Sequence, residues 1–448
     1  MDLTQTQTVE VSAQSERTDP AAPLRPVLIA LAGCCGARPG TLRRLPPAGL
    51  TLGRRTPLFL GRPADDARMS RTHARVEKAA RGWQAVDCDS RNGTFLNGQR
   101  LLDPTTLSPG DVLRCGNTVV VFGKVPDLRG DAPRHLGLRG IGPTIRAVRD
   151  GLVAVARHDR TVLLLGETGT GKEVAARALH LATGRTGAFV AVNCASLSPT
   201  MLESTLFGHR KGAFTGATDS QPGLVRSAHG GTLFLDEVGE LGLDLQGRLL
   251  RMLETRSVRP VGGSREVKVD VRVVSATNRD LVGAVRSGAF RSDLYARLSQ
   301  WVVPLPPLRE RRVDLPGLVD ALLDALGAAD RTLDPELAEA WALHTWPLNV
   351  RGLKNALATA TIATPAGPLR LAPPVLAALE ADRALVTAPP PANTQPDRPA
   401  ELTSADLRAA LATHRGRVAA VARALGRSRQ QVYRLIQTHG LDLDDYRG

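Results

Sequence analysis

The chain has 448 residues, of which 42% are hydrophobic, and its 58 lysines and arginines against 44 acids give a formal net charge of +14. This length predicts about three domains, and no apolar run approaches the roughly 18 residues that a membrane-spanning helix needs. The N-terminus lacks the basic start and apolar stretch of a signal peptide, and the five cysteines have no zinc-binding spacing. We therefore expect a cytoplasmic protein without membrane contact, and the basic charge favours polyanionic partners.

The first third of the chain predicts an all-β domain. Residues 1–24 are polar without any period, which predicts a disordered leader. Residues 25–124 alternate short apolar runs with turns rich in Gly, Pro, Asn and Asp, the pattern of a β-sandwich. Residues 125–140 form a polar linker that contains Pro and Gly.

The rest of the chain changes pattern twice. Residues 141–308 alternate apolar strands, one of them at 269–276, with helical stretches, which predicts an α/β domain with a parallel, helix-covered sheet. Residues 309–380 predict a helical subdomain, and residues 381–401 a linker rich in Pro and Ala. Residues 402–448 predict short helices around a glycine turn.

A glycine-rich loop follows the apolar strand at residues 161–165 and opens a helix. Its backbone amides, the positive end of the helix and the ammonium group of Lys172 are suited to the phosphates of ATP. The predicted nucleotide-binding residues are Gly166, Glu167, Thr168, Gly169, Thr170, Gly171, Lys172 and Glu173. Glu173 stands where a magnesium-binding Ser or Thr is usual, so that ligand comes from elsewhere or is replaced by water.

A second apolar strand, residues 233–235, lies about 65 residues after the glycine-rich loop and is followed directly by two carboxylates. We expect Asp236 to hold Mg²⁺ through water and Glu237 to orient and polarise the attacking water. The loop and this acidic pair together predict an ATPase.

Between these two motifs lies the sequence Gly212-Ala213-Phe214-Thr215-Gly216-Ala217, abbreviated GAFTGA. On this string, residues 141–380 resemble the AAA+ domain of sigma-54-dependent enhancer-binding activators. The resemblance implies that the GAFTGA loop contacts sigma-54. It also implies a hexameric or similar ring, in which ATP turnover remodels the closed complex of sigma-54 RNA polymerase so that the promoter opens.

The same resemblance implies further catalytic roles. Glu173 is itself usual in this family. Asn193 is expected to restrain Glu237 until nucleotide is sensed, and Asn278 to act as a sensor after the next strand. Arg291 and Arg297 are expected to reach into the neighbouring subunit's site, where an arginine stabilises developing phosphoryl charge.

Arg351 resembles the residue that contacts nucleotide from the helical lid. The family usually has Gly where Leu348 stands and Glu where Gly352 stands. We therefore expect the motion of the lid to differ from that of the family.

Three segments of the predicted sandwich resemble the forkhead-associated (FHA) domain, which reads phosphothreonine peptides. They are Gly53-Arg54, residues 70–73 and residues 90–98. Arginine suits phosphate because it forms charge-assisted, bidentate hydrogen bonds. The expected phosphopeptide ligands are Arg54, Ser70, Arg71, Arg91 and Asn92.

Two more residues lie near these motifs in the sequence. Arg62 competes with Arg54, but the longer spacing from Arg54 to Ser70 leaves room for an intervening strand and favours Arg54. His73 is expected to be a structural hydrogen-bonding residue within the loop. Since no aspartate-receiver module precedes the ATPase, we expect regulation through Ser/Thr kinase signalling.

Residues 402–448 resemble a helix-turn-helix of the Fis type. Seven arginines and no acids lie between Asp406 and Asp442, and Ser428 is a suitable cap for a second helix that enters the major groove of enhancer DNA. Candidate DNA contacts are Arg427, Ser428, Arg429, Gln430 and Arg434. Apolar contacts between the helices are expected from Ala420, Val421, Ala424, Val432 and Leu435.

Two other functions remain open from sequence. One is a phosphopeptide-dependent DNA-binding scaffold with an inactive ATPase, which the intact Lys172, Asp236, Glu237 and Arg291 disfavour. The other is a generic AAA+ unfoldase, which the GAFTGA loop and the basic C-terminal segment disfavour.

Overall fold

The computed structural model describes residues 24–33, 36–64, 66–126, 137–213, 218–387 and 404–425, with ten further residues between 432 and 446. The predicted leader before residue 24 and most of the two predicted linkers lie outside these ranges. The chain divides into two compact units, Met1–Leu385 and Val386–Gly448. In the described part of the chain, no helix combines the length and apolarity needed to cross a membrane.

The N-terminal part of the first unit is an all-β sandwich, as the turn-rich pattern predicts. Its strands are β1 (Leu24–Ala32), β2 (Leu42–Arg44), β3 (Leu50–Leu52), β4 (Pro57–Phe59), β5 (Arg62–Pro63), β6 (Ala74–Ala79), β7 (Gly82–Asp87), β8 (Thr94–Leu96), β9 (Gln99–Arg100), β10 (Thr105–Thr106), β11 (Val112–Cys115) and β12 (Thr118–Pro126). One sheet has the order β2-β1-β12-β11-β8-β9 and the other β10-β7-β6-β3, with antiparallel neighbours.

Two adjacent inner strands of the larger sheet, β1 and β12, are buried on both faces. Leu28 and Phe122 point into the sandwich core, whereas Val27, Ile29 and Val121 pack on the opposite face. Because successive side chains of a strand alternate between faces, the unbroken apolar runs of β1 and β12 require a cover on each side. The second cover is the helical lid described below.

The central α/β part has a five-stranded parallel sheet of order β14-β17-β20-β13-β21. Its elements are α1 (Pro143–Ala156), β13 (Val162–Leu165), α2 (Lys172–Thr183), β14 (Phe189–Asn193), α3 (Pro199–Phe207), β15 (Gly208–His209), β16 (Gln221–Pro222), α4 (Leu224–Ser227), β17 (Thr232–Asp236), α5 (Leu243–Thr255), β18 (Ser257–Val258), β19 (Val267–Lys268), β20 (Arg272–Thr277), α6 (Leu281–Arg286), α7 (Ser292–Leu298) and β21 (Trp301–Pro304). The strand predicted at 269–276 begins only at Arg272, because Val269 still bonds Arg256 beside the β18–β19 hairpin.

The lid begins with two short 3-10 turns, at Leu308–Glu310 and Arg312–Asp314. Four helices follow: α8 (Leu315–Ala325), α9 (Pro335–Leu343), α10 (Asn349–Ala363) and α11 (Pro373–Thr387). Trp341 and Trp346 are fully buried among them, and the indole nitrogen of Trp346 donates to the Trp341 carbonyl oxygen at 2.9 Å.

The second unit contains α12 (Ser404–Thr413), α13 (Val418–Ala424) and a 3-10 turn at Asp444–Tyr446. Its core includes Val418, Val421 and Ala422, which share a helix face at i, i+3 and i+4. Ala424 lies off that face and is exposed, so its predicted apolar contact is wrong. The predicted DNA contacts Arg427, Ser428, Arg429, Gln430 and Arg434 lie outside the described residues.

Candidate functional site

The glycine-rich loop joins the end of β13 to the first turn of α2. Gly169 and Gly171 have φ values of +80° and +102°, in the left-handed region that favours glycine. The loop therefore ends with its backbone turned toward the N-terminus of α2, where amide groups and the helix dipole attract anions. A Cβ on Gly169 would also lie only 2.1 Å from the Leu348 carbonyl oxygen, so the lid leaves no room for a side chain there.

Lys172 lies between this loop and the acidic pair at the end of β17. Its side chain is 7% exposed, and Nζ donates to the Gly166 carbonyl oxygen at 2.9 Å and lies 3.6 Å from Glu237 Oε1. Burial raises the pKa of Asp236, and the neighbouring charge of Glu237 raises it further, whereas Lys172 opposes both. The fold thus gathers one cation and two carboxylates at the carboxyl edge of the sheet.

Asn278 bridges the acidic pair and the glycine-rich loop from the end of β20, the strand between β13 and β17. Its backbone amide donates to Glu237 Oε2 at 3.3 Å, and its Nδ2 donates to Thr168 Oγ1 at 3.3 Å. Asn193 lies on β14 opposite Asp236. Its carboxamide oxygen accepts from the Ala195 amide at 2.8 Å, so its recorded contact is local and its restraint of Glu237 stays a prediction.

The GAFTGA loop connects β15 to β16, and its base is held against the β18–β19 hairpin. The Arg210 amide donates to the Val261 carbonyl oxygen at 3.0 Å, the Val261 amide donates to Gly208 at 2.8 Å, and the Lys211 amide donates to Ser220 Oγ at 3.0 Å. A Cβ on Gly262 would lie 2.9 Å from the Cβ of Ala213. The tip residues Phe214, Thr215, Gly216 and Ala217 lie outside the described residues.

The sandwich brings the predicted phosphopeptide residues to one end. Arg54 donates through Nε to the Met69 carbonyl oxygen at 2.9 Å and through Nη2 to Ala67 at 3.0 Å. The Arg91 amide donates to Ser70 Oγ at 3.1 Å. These contacts join the three motif segments in one cluster of loops.

The same cluster depends on close backbone approach and a buried histidine. Asn92 Nδ2 donates to the Arg68 carbonyl oxygen at 2.6 Å, and a Cβ on Gly53 would lie 2.0 Å from the Arg71 carbonyl oxygen. His73 is fully buried; its Nδ1 accepts from the Ser70 amide at 3.0 Å and its Nε2 lies 3.1 Å from the Gly93 carbonyl oxygen. His73 therefore has the predicted structural role. Arg62, the competing arginine, lies apart from these contacts in the β4–β5 hairpin.

Two family models match the chain. Residues 138–304 match the sigma-54 interaction domain, and residues 51–116 match the FHA domain. Residues 138–304 therefore form a sigma-54 interaction domain. The central part of the chain is accordingly an AAA+ ATPase domain, and the resemblance drawn from the GAFTGA string and the FHA motifs is confirmed.

Several bacterial regulators are similar to this chain. The Nif-specific regulatory protein of Herbaspirillum seropedicae is 52% identical over 200 residues, which are 44% of this chain and 37% of that protein. The transcriptional regulatory protein GlrR of Escherichia coli (strain K12) is 39% identical over 298 residues, 65% and 66% of the two chains. A crystal structure of NtrX from Brucella abortus has 29% identity and a TM-score of 0.49, covering 67% of this chain and 69% of that one. The chain spans about half the length or less of several curated relatives that it matches.

The start of α10 contacts the glycine-rich loop of the sigma-54 interaction domain directly. The Val350 amide donates to the Gly169 carbonyl oxygen at 3.0 Å, and a Cβ on Gly169 would lie 3.0 Å from the Cβ of Arg351. The exposed Arg351 side chain therefore leaves the helix beside the loop, in a position that suits its predicted contact with nucleotide.

Sequence reasoning gave no role to two residues that tie the lid to this loop. Asn349 is fully buried, and its Nδ2 donates to the Thr168 carbonyl oxygen at 3.0 Å and to Glu167 Oε2 at 3.1 Å. Arg309 forms two hydrogen bonds with the Glu167 carboxylate, at 2.6 and 2.8 Å, and these hold the pKa of Glu167 below its usual range. Asn349 lies in the segment 346–351, from which the role of Arg351 was predicted. Its left-handed φ of +52° is uncommon for a residue other than glycine.

The two predicted arginine fingers of the ATPase domain are exposed. Arg291 precedes α7 and pairs with Asp293 at 2.7 Å. Its amide donates at 2.8 Å to the buried side chain of Gln246, which fixes the start of the helix. Arg297 lies in the last turn of the same helix. The side-chain partner of Arg291, Asp293, belongs to its own segment and not to the glycine-rich loop.

Proposed function

We propose that this chain is a bacterial transcription activator that uses ATP to remodel sigma-54 RNA polymerase, and that it acts in the cytoplasm. The observation that carries the proposal is the meeting of Lys172, Glu237 and Asn278 at the sheet edge of a domain that also holds the GAFTGA loop. The test is transcription in vitro with sigma-54 polymerase and ATP. The proposal predicts open complexes that require hydrolysable ATP, and it fails if the purified chain produces none.

The residues at the sheet edge fit a nucleoside triphosphate with a divalent cation. The left-handed turns at Gly169 and Gly171 direct the loop backbone toward the phosphates, and Lys172 offers a buried cation for the β- and γ-oxygens. Mg²⁺ supplies charge that neutralises the transferred phosphoryl group, and Asp236 would hold it through water. Glu237 would then accept the proton of the attacking water.

Hydrolysis is proposed to need a ring, in which each site is completed by its neighbour. Arg291 lies just before α7 and Arg297 in its last turn, and both side chains are exposed. Arg291 would have to break its surface ion pair with Asp293 before it could reach another copy. An arginine supplied in trans couples the chemistry of one subunit to the position of the next. A hexamer is the ring size that the family resemblance favours.

The GAFTGA loop is the proposed contact with sigma-54. Thr215→Ala should leave ATP hydrolysis within about twofold of the unmodified chain, since the change is small and lies beyond the anchored base of the loop. Open-complex formation should nevertheless be lost. Permanganate footprinting of the promoter measures the second effect, and a phosphate-release assay measures the first. Equal loss of both activities would place Thr215 in the ATPase machinery instead.

The FHA domain is proposed to bind a phosphothreonine peptide through Arg54, Ser70, Arg71, Arg91 and Asn92. Arg54→Ala should weaken binding by about tenfold or more, because a charge-assisted pair of hydrogen bonds to phosphate is lost. Fluorescence anisotropy with a labelled phosphothreonine peptide measures the change. Arg62→Ala is the matched control and should bind normally. A larger loss in Arg62→Ala than in Arg54→Ala would reverse the assignment.

The second unit is proposed to bind enhancer DNA. Its apolar core holds α12 and α13 together, and its seven arginines without acids between Asp406 and Asp442 give it the charge that DNA phosphates attract. We further propose that phosphopeptide binding, ATP hydrolysis, lid motion and DNA binding belong to separate parts of the chain, with boundaries near residues 124, 308 and 380.

A further inference from the structure

The outer face of the larger FHA sheet shares an apolar core with the lid. Leu31, Ala32, Val112 and Val119, none more than 5% exposed, belong to the same buried cluster as α8 and α9. Val27, Ile29 and Val121 pack in turn on Val313 at the start of the lid. An interface of this apolar kind holds two modules together, whereas polar interfaces between domains allow relative motion.

Ion pairs lie at the edge of this apolar core. Arg114 Nε donates to Glu339 Oε2 of α9 at 2.8 Å, and the two side chains are only 26% and 16% exposed. Arg38 pairs with Asp320 and Asp324 of α8 at 2.6 and 2.5 Å.

Packing at the rim leaves almost no room for added atoms. A Cβ on Gly40 would lie 3.0 Å from the Cα of Gly317 in α8, and a Cβ on Gly98 would lie 3.1 Å from Leu343 Cδ1 in α9. The interface is therefore specific in charge and in shape.

The part of the lid that packs on the FHA sheet continues directly to the glycine-rich loop. Two residues before Val313, the 4% exposed Arg311 donates through Nη2 to the Thr170 carbonyl oxygen at 3.2 Å. Arg309 pairs with Glu167, and the Leu308 amide donates to Asn349 Oδ1 at 2.7 Å. Residues 308–314 thus contact the FHA sheet at one end and the glycine-rich loop at the other.

The predicted phosphopeptide loops reach the same interface. Arg91 and Asn92 lie among the peptide loops, and Gly98, six residues after Asn92, touches α9. Between them, the ring of Phe95 lies 4.0 Å below the Arg114 guanidinium that pairs with Glu339. A change in the position of residues 90–98 would therefore act on α9 directly at Gly98 and through Arg114 at Phe95.

We propose that the outer sheet face of the FHA domain is a docking surface for the lid of the same chain. Docking holds α10 against the glycine-rich loop and thereby slows nucleotide release. Phosphopeptide binding then reaches the ATPase through residues 90–98 and α9. This effect of the peptide rests on the proposed function, whereas docking itself does not require a peptide.

The test uses the full chain and the release of a fluorescent ADP analogue in stopped flow. Glu339→Arg and Arg114→Glu should each speed release by about threefold to tenfold, as expected for partners in contact. The double reversal should restore slow release, because the ion pair reforms with opposite polarity. Glu380→Arg, an exposed reversal on α11, should have no effect. Release that is unchanged in both single variants, or equally fast in the double variant, would overturn the proposal.

Two further measurements keep the outcomes separate. If Glu339→Arg unfolds the chain, Arg38→Glu tests the same interface at its exposed rim and should also speed release. If the chain binds no nucleotide, the ATPase proposal fails, and hydrogen exchange of α9 tests docking instead. Amide exchange in α9 should be faster in the single variants than in the unmodified chain, and the double variant should return to the slower rate. The same exchange rate in all of these proteins would overturn docking.

The peptide arm measures anisotropy and ADP release in the same variants. Glu339→Arg should still bind phosphothreonine peptide, because Glu339 lies on α9 and is not one of the predicted peptide ligands. The effect of peptide on ADP release should disappear in that variant. If the unmodified chain binds no peptide, the FHA part of the proposed function fails while the charge-reversal cycle still decides docking. If peptide still changes release in Glu339→Arg, the proposed route through α9 is wrong.

Discussion

Replacing Glu237 by glutamine should reduce ATP turnover by about 10² to 10⁴, the range for loss of a general base, while ATP still binds. Glutamine keeps the length of the side chain and an oxygen that can accept from the Asn278 amide. It cannot take a proton from water. It also removes the negative charge beside Lys172, so the ammonium group becomes more available to phosphate and ATP affinity should be equal or higher.

Single-turnover hydrolysis and equilibrium binding of labelled ATP separate these two effects. Glu240→Gln is the matched control, since Glu240 lies three residues further on and pairs with Arg279 at the surface. The control should hydrolyse ATP normally. Turnover of Glu237→Gln within threefold of the control would show that another group activates the water.

Arg291→Ala should lower ATP turnover by about 10³ to 10⁵, the range for an arginine finger, with little change in the stability of the subunit. Among the described residues, the guanidinium group pairs with the exposed Asp293, and such surface pairs contribute little to folding. Its removal therefore acts on the transition state in the neighbouring site. Arg286→Ala, an exposed change on the preceding helix, is the control.

Mixing two inactive variants tests whether the arginine acts in trans. Arg291→Ala subunits keep Glu237, and Glu237→Gln subunits keep Arg291, so a mixed ring contains some complete sites. An equal mixture should complete about a quarter of the interfaces in a cyclic assembly and recover activity that neither variant has alone. A mixture that stays inactive, although both variants assemble, would contradict supply of the arginine by a neighbour.

The FHA sandwich and the nucleotide loop could be predicted because their signals are local. A strand, a glycine-rich turn and a helix follow one another around Lys172, and the three FHA motifs lie in turns between short strands. Contacts such as that of Asn349 with Thr168 join residues about 180 positions apart. No periodicity encodes which polar partner a distant lid residue will choose.

The cover on the outer FHA sheet was not predicted, although the sequence carried a signal for it. The run from Val119 to Phe122 is apolar at every position, whereas a strand with one solvated face alternates. Such a run indicates burial on both faces but does not identify the second layer. The lid could be recognised as that layer only once its helices had been placed.

ATP hydrolysis is proposed to present the GAFTGA loop to sigma-54. The most direct measurement is binding of sigma-54 to the chain trapped with ADP and aluminium fluoride, followed by gel filtration. We expect a complex in the trapped state that is absent with ADP alone and absent in Thr215→Ala. A chain that hydrolyses ATP and is trapped by the mimic, yet never binds sigma-54, would contradict the account.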